Sequence, residues 1–228
     1  MSSRRIALVA EGATDVVVIE AALKAILVEP FILTVLQPEA TRPSVGGGWC
    51  GVFKWCRDFA ARSSDSLETD PTLPGFDLFI VHIDADVAGF ADGNCGLDIA
   101  LQSVNLPPLP CPQPCPPATA AADEVRQRVL AWLGLSQVGP HTVLCVPSKA
   151  IDAWMATAVL PATHAVLAGV ECNLRLEAHL GALTKSARIR KRRTDYQRHA
   201  VTVTSNWRDV CAICTQAARF ETDIQMAI

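Results

Sequence analysis

The sequence predicts an α/β fold: a parallel four-stranded sheet in the order 2-1-3-4, flanked by helices and followed by a helical C-terminal extension. Three observations lead there. Leu78 to Ile83 is a short, almost wholly apolar run rich in branched residues, the composition of a strand buried on both faces of a parallel sheet. Apolar runs of strand length alternate with segments of helical periodicity as far as residue 158, the pattern of βαβ units. Acidic residues follow the first and third strands: Glu11 after one, Asp84 and Asp86 after the other. Those carboxylates meet only when strands one and three are neighbours, with the topological switch point between them.

Taken in order, Arg5 to Ala10 reads as the first strand. A helix follows from about Asp15 to Leu27, with Val16, Ile19, Leu23, Ile26 and Leu27 at helical spacing. Gly12 permits the tight turn between them, and Thr14 or Asp15 is suited to cap the helix. Pro30 stops it. Phe31 to Leu36 is the second strand. The loop 37–48 ends in Gly46-Gly47-Gly48, which lacks the Lys-Ser/Thr of a phosphate-binding loop and reads as a hinge. Trp49 to Ala61 is a second helix, and 63–75 a polar surface connection into the third strand.

After Asp86 the sequence turns irregular. Gly89, Gly93 and Gly96 punctuate it, and seven of the eleven residues from Pro107 to Pro117 are proline, which excludes a helix or a central strand there. The stretch 88–118 reads as an insertion. Ala118 to Leu133 is a helix and His141 to Val146 the fourth strand. Pro147 suits the first turn of the next helix, which places Asp152 one turn inside it. Residues 1–158 form the α/β core on this reading. Residues 159–228 form the helical extension, closed by one amphipathic helix over 205–221.

Half of the 228 residues are hydrophobic and 19% are charged, a globular composition with enough chain for a substantial core. The net charge of −3 gives no global nucleic-acid signature. The basic residues are uneven, however: Lys185, Arg188, Arg190, Lys191, Arg192, Arg193 and Arg198 are seven of the twenty lysines and arginines. That local stretch is the candidate phosphate-binding surface, against the plain alternative of a solvated basic face. No apolar run reaches transmembrane length, and the apolar segment after Arg5 is too short for a secretory signal. The expectation is a cytoplasmic protein with its nine cysteines mostly reduced. An odd number cannot pair completely within one chain. Cys95, Cys111 and Cys115 raise the question of zinc, although the paired spacing of a zinc knuckle is absent.

The chemistry centres on the acidic groups. Asp84 and Asp86 stand at i and i+2 off a strand end, so both carboxylates leave on one side. Like charges that close repel, and a divalent cation with a preference for hard oxygen, Mg²⁺ or Mn²⁺, resolves the repulsion. The plain alternatives are a strand-ending turn for Asp84 and Asp86, a solvated loop for Glu11, a helix cap for Asp15 and a favourable helix-dipole position for Asp152.

Together, Glu11-Gly12-x-x-Asp15 after the first strand and Asp84-Ala85-Asp86 after the third resemble the Toprim domain of topoisomerases, primases and OLD-family nucleases. Pro147-Ser148-x-x-Ile151-Asp152-x-Trp154 and the basic run ending at Tyr196 resemble, more narrowly, the small Toprim-like family called DUF4276. The resemblance implies a Toprim-like Rossmann fold and a Mg²⁺- or Mn²⁺-dependent nuclease acting on DNA or RNA. It implies Glu11, Asp15, Asp84, Asp86 and Asp152 as metal ligands, with Glu11 doubling as general acid or base. Lys191 becomes the catalytic lysine, with Lys185 as the alternative. An AAA- or ABC-type ATPase partner and a role in bacterial anti-phage defence come with the same family. Two departures stand out: aspartate at position 152 where glutamate is expected, and the proline-rich insertion.

Two rivals come from other classes. One is a binding module that holds a Mg²⁺-nucleotide or a partner without turnover. The other is a phosphotransferase built on an aspartyl phosphate. This rival includes receiver-like folds; its haloacid-dehalogenase-like form would place Asp-x-Asp after the first strand, usually followed by Thr, whereas here it follows the third strand and precedes Val87.

Overall fold

A computed structural model describes residues 3–39, 46–62, 65–185 and 187–228. Four apolar strands form its sheet: β1 (Arg4–Val9), β2 (Phe31–Gln37), β3 (Leu78–His82) and β4 (Thr142–Cys145). All neighbouring pairs are parallel and the order is β2-β1-β3-β4. Leu8 of β1 stands opposite Val35 of β2 and Ile80 of β3, and Ile80 stands opposite Val143 of β4. All five residues of β3 are buried, as its unbroken apolar run requires for a strand covered on both faces.

Strand alternation divides the core in two. Ile6, Leu8, Leu78, Ile80, Val143 and Cys145 face one side, while Ala7, Val9, Phe79, Val81 and Leu144 face the other. The second side is covered by α2 (Gly48–Ala60) and α4 (Thr119–Leu133), where Trp132 packs edge-on against Phe53 at 5.2 Å between ring centroids. The first side is covered by α1 (Ala13–Ile26), α5 (Asp152–Val159), α7 (Arg193–Ser205), α8 (Trp207–Ile213) and α9 (Thr215–Ala227). The C-terminal helices therefore share one core with β1 and α1, and α7 lies along α1.

Several local expectations are corrected. Neither Thr14 nor Asp15 caps α1: the cap position is Gly12, with no side-chain hydrogen bond, and both residues lie inside the first turn. Pro147 is not in a helix, because α5 starts only at Asp152, which is thus its first residue. The closing helix is broken in two at Cys214, whose extended backbone ends α8 and begins α9. The irregular stretch after Asp86 contains a short helix, α3 (Leu97–Ser103), anchored by buried Ile99. The remaining short helix, α6 (Leu176–Ala182), buries Leu176 and Leu180. In the loop 37–48 residues 40–45 lie outside the described residues, and so do 63 and 64 of the 63–75 connection.

Four cysteines pair, which the largely reduced set expected from the sequence did not include. Cys50 of α2 is bonded to Cys95, and Cys115 of the proline-rich stretch to Cys172. Cys95 and Cys115 thus belong to different bonds, and Cys111 is a free, exposed thiol. The zinc trio raised for Cys95, Cys111 and Cys115 is therefore not formed, because two of its thiols are taken by disulfides to Cys50 and Cys172. Among the described residues no helix is long and apolar enough to cross a membrane.

Gly46-Gly47-Gly48, expected as a hinge, leads directly into α2 and is pinned there. Gln37 Nε2 donates to Gly46 O at 2.7 Å, and Gly48 N–H donates to Glu11 O at 2.8 Å. Gly51, one turn on, leaves room for that contact: a Cβ there would lie 2.3 Å from Gln37 Nε2 and 2.7 Å from Gly46 O. Gly51→Ala is therefore expected to cost about 1–3 kcal/mol, the usual penalty of overpacking. Urea denaturation measures it, and a wild-type midpoint would show that the glycine turn gives way freely.

Candidate active site

The carboxyl ends of β1 and β3 are adjacent, and the residues that follow them meet. Asp84 N–H donates to Glu11 Oε1 at 2.6 Å, a bond between residues 73 apart in sequence. Asp84 is buried and its Oδ1 accepts the N–H of Ile151 at 2.9 Å. That bond ties the third strand end to the start of α5. Asp86 N–H donates to Lys149 O at 3.0 Å, so the turn after β3 is stitched to the segment leaving β4. Asp15, buried on the first turn of α1, accepts from Thr14 Oγ1 at 3.1 Å.

Lys191 completes the group. Its Nζ lies 3.3 Å from Asp152 Oδ2, and the Tyr196 hydroxyl donates to Asp152 Oδ1. Asp152 and Tyr196 are each only 1% exposed. Lys191, Asp152 and Asp86 share a small cleft of about 60 Å³ with Lys149, Asn173 and Glu177.

The crowding of charge appears in the protonation equilibria. Burial, then Asp84, push the Glu11 carboxyl well above the ordinary range. Burial and Asp84 lift Asp86 to about 7. Burial lifts Asp15 to about 6, with Asp84 adding to the rise and His82 opposing it. Lys191, whose side chain is about a third exposed, moves upward. Burial disfavours its charge, but Asp152, Asp84 and Asp15 outweigh that and raise its pKa. Burial and Asp152 hold the Tyr196 phenol firmly protonated.

The donor set suits a hard divalent cation in its chemistry: four carboxylates from two strand ends and one helix turn, with burial and mutual repulsion raising the pKa of Glu11, Asp15 and Asp86. Glu11 Oε2, Asp84 Oδ2 and both Asp86 oxygens have no hydrogen-bond partner among the described residues. The geometry is less complete than the chemistry. Among the described residues no three His, Cys, Asp or Glu groups stand in a ligating arrangement, so a bound cation requires side-chain rotation.

The sequence candidates divide. Glu11, Asp15, Asp84, Asp86, Asp152 and Lys191 come together. Lys185, Arg190, Arg192, Arg193 and Arg198 are exposed, and Arg188 is partly so. Arg188 Nε donates to Leu183 O at 3.3 Å, and Arg198 lies 3.6 Å from Asp195. Asp195 Oδ2 also accepts the Arg190 N–H at 3.1 Å, which fixes the backbone beside Lys191. Arg193 opens α7 and borders a cavity of about 410 Å³ with Ala13, Val35, Pro38, Gly46 and Gly47.

Three residues of the site were not among the site candidates the sequence offered. His82 is fully buried with Nε2 3.3 Å from Asp84 Oδ1. Burial disfavours its charge, while Asp84 and then Asp15 raise its pKa. Strand alternation was the available signal, since residues 82 and 84 leave the strand on the same side. Lys149 is buried and lines the cleft. Tyr196 reaches Asp152 from 44 residues away, a contact no local pattern encodes.

No family model, curated protein or solved structure matches the chain.

Proposed function

We propose that the chain is a metal-dependent phosphodiester hydrolase of the Toprim-like kind, acting on DNA or RNA with Mg²⁺ or Mn²⁺. The observation that supports this best is the junction of Glu11 with Asp84 across neighbouring strand ends, with Asp15, Asp86 and Lys191 gathered around it. Glu11, Asp84 and Asp86, with Asp15 beside them, would hold the cation. When bound, the cation supplies Lewis acidity towards a phosphate and a hydroxide nucleophile at neutral pH. Lys191 sets a positive charge at the rim of the carboxylates, where it offsets charge building on the phosphate oxygens in the transition state. Glu11, two residues past β1 and bonded to the Asp84 N–H, is the candidate general acid or base. By resemblance alone, the setting is a bacterial anti-phage system with an AAA- or ABC-type ATPase as partner.

The exposed arginines beside Lys191 are the proposed track for the nucleic-acid backbone. Reversing Arg190, Arg192 and Arg193 to glutamate leaves Lys191 in place. It is expected to weaken binding and to reduce the salt slope by about 1 per lost phosphate contact. Binding measured across a salt series checks this, and an unchanged slope would put the phosphates elsewhere.

The direct test is hydrolysis of labelled DNA and RNA with Mg²⁺ or Mn²⁺ against a chelator. Absence of metal-dependent cleavage of both would overturn the proposal. A second reading, a module that binds Mg²⁺-nucleotide without turnover, is favoured by the missing three-ligand arrangement. It predicts nucleotide-dependent stabilisation with no product formed.

A further inference from the structure

The five carboxylates are not equivalent in what holds them. Asp84, Asp86 and Glu11 each keep at least one oxygen free of hydrogen bonds among the described residues. Asp152 does not: Oδ2 is taken by Lys191 and Oδ1 by Tyr196. Both partners come from one short stretch of chain ahead of and inside the first turn of α7, so they close on the carboxylate like two jaws. The stretch is itself braced, since Arg190 N–H is bonded to Asp195 and Tyr196 N–H donates to Arg192 O at 3.1 Å. Tyr196 is buried, and turning Asp152 towards a cation would strand its hydroxyl in apolar surroundings, an unfavourable exchange. The backbone leaves Asp152 little freedom either, because the preceding N–H, of Ile151, is already bonded to Asp84.

Resting on the hydrolase reading, we propose that Asp152 is a positioning residue and not a cation ligand: with Tyr196 it fixes the Lys191 ammonium at the edge of the Glu11–Asp84–Asp86 group. The acidic set then has two parts. One part receives a cation, and the other aims a fixed positive charge at the substrate. This also gives a use to aspartate at 152, because the shorter side chain meets an amine and a phenol brought to it and need not span to a metal.

Tyr196 is the only tyrosine in the chain, so tyrosine labelled with ¹³C at the ring Cζ gives one resonance that reports on the Asp152 contact. Spectra are recorded for the wild type in chelator and in saturating Mg²⁺, and for Asp152→Asn in chelator. The proposal expects Asp152→Asn to move the resonance and Mg²⁺ to leave it in place. In cleavage assays the same variant is expected to lower kcat about 100-fold, as for a misplaced catalytic group, with KM and the Mg²⁺-dependent rise in melting temperature unchanged. A Mg²⁺-induced displacement of the wild-type signal would mean that Asp152 leaves Tyr196 for the cation, and the proposal fails. An unmoved signal in Asp152→Asn means the contact is absent, and it fails again. The Mg²⁺ arm uses wild-type protein, so it stands even where the variant does not fold. A melting temperature indifferent to Mg²⁺ instead overturns the metal reading of the site, and the Tyr196–Asp152 anchor is then decided by the variant's spectrum alone.

Discussion

Asp84→Ala and Asp86→Ala are both expected to lower metal-dependent cleavage by about 10³-fold, and to move stability in opposite directions. Asp84 is buried and its Oδ1 receives the Ile151 N–H at 2.9 Å. Alanine leaves that N–H unmet, at a cost of about 1–3 kcal/mol. Asp86 has no such bond among the described residues, and burial with the Asp84 charge lifts it to about 7. Its folded pKa lies above its unfolded one, so its penalty is absent below about pH 4, grows as pH rises, and is complete above about pH 7. Asp86→Ala should therefore gain about 1 kcal/mol at about pH 8, allowing for its partial exposure to solvent, and nothing at about pH 4. Chemical denaturation in chelator at the two pH values measures both effects, beside a cleavage assay in Mg²⁺. Two variants that unfold alike would mean the Ile151 bond and the crowding of charge are not what the geometry indicates.

Trp154→Ala is expected to cost about 3–5 kcal/mol, the range for emptying a large aromatic site. Trp154 is fully buried on α5, with ring centroids 5.4 Å from Trp207 of α8 and 5.6 Å from Phe220 of α9. It joins the helix that begins at Asp152 to the helices that close the chain. Its indole N–H has no hydrogen-bond partner among the described residues, so Trp154→Phe should cost much less than Trp154→Ala. Urea unfolding is expected to remain a single transition shifted to lower denaturant. Two separated transitions, with the sheet unaffected, would show that residues 159–228 are an independent unit.

The sheet was legible because its determinants are local. The apolar run of β3 announces burial on both faces, and the requirement that Glu11 meet Asp84 sets β1 beside β3. The helix ends were less legible. Thr14 and Asp15 have the chemistry of caps, but Gly12 takes that position and leaves Asp15 free to point at the site. Pro147 has the preference for a helical first turn, yet the backbone spends the residues from Pro147 to Ile151 on bonds to Ala85, Asp86 and Asp84. Tertiary hydrogen bonding overrides propensity there. The carboxylates were legible for the same reason as the strands they follow. Tyr196 and the two disulfides were not, since Cys50 finds Cys95 across 45 residues and Cys115 finds Cys172 across 57. Nothing in the local sequence selects those partners.

The clamp on Asp152 also sets an order in time. Asp152 and Lys191 are 39 residues apart, and every strand of the sheet lies ahead of both in the chain. A ribosome adding about 5–20 residues per second would take about 2–8 s to cover that interval. For those seconds the chain carries all four strands and the five carboxylates, but neither Lys191 nor the last three helices, which cover one face of the sheet. The contacts that hold Asp152 therefore form only after residue 196 of the 228 has been added.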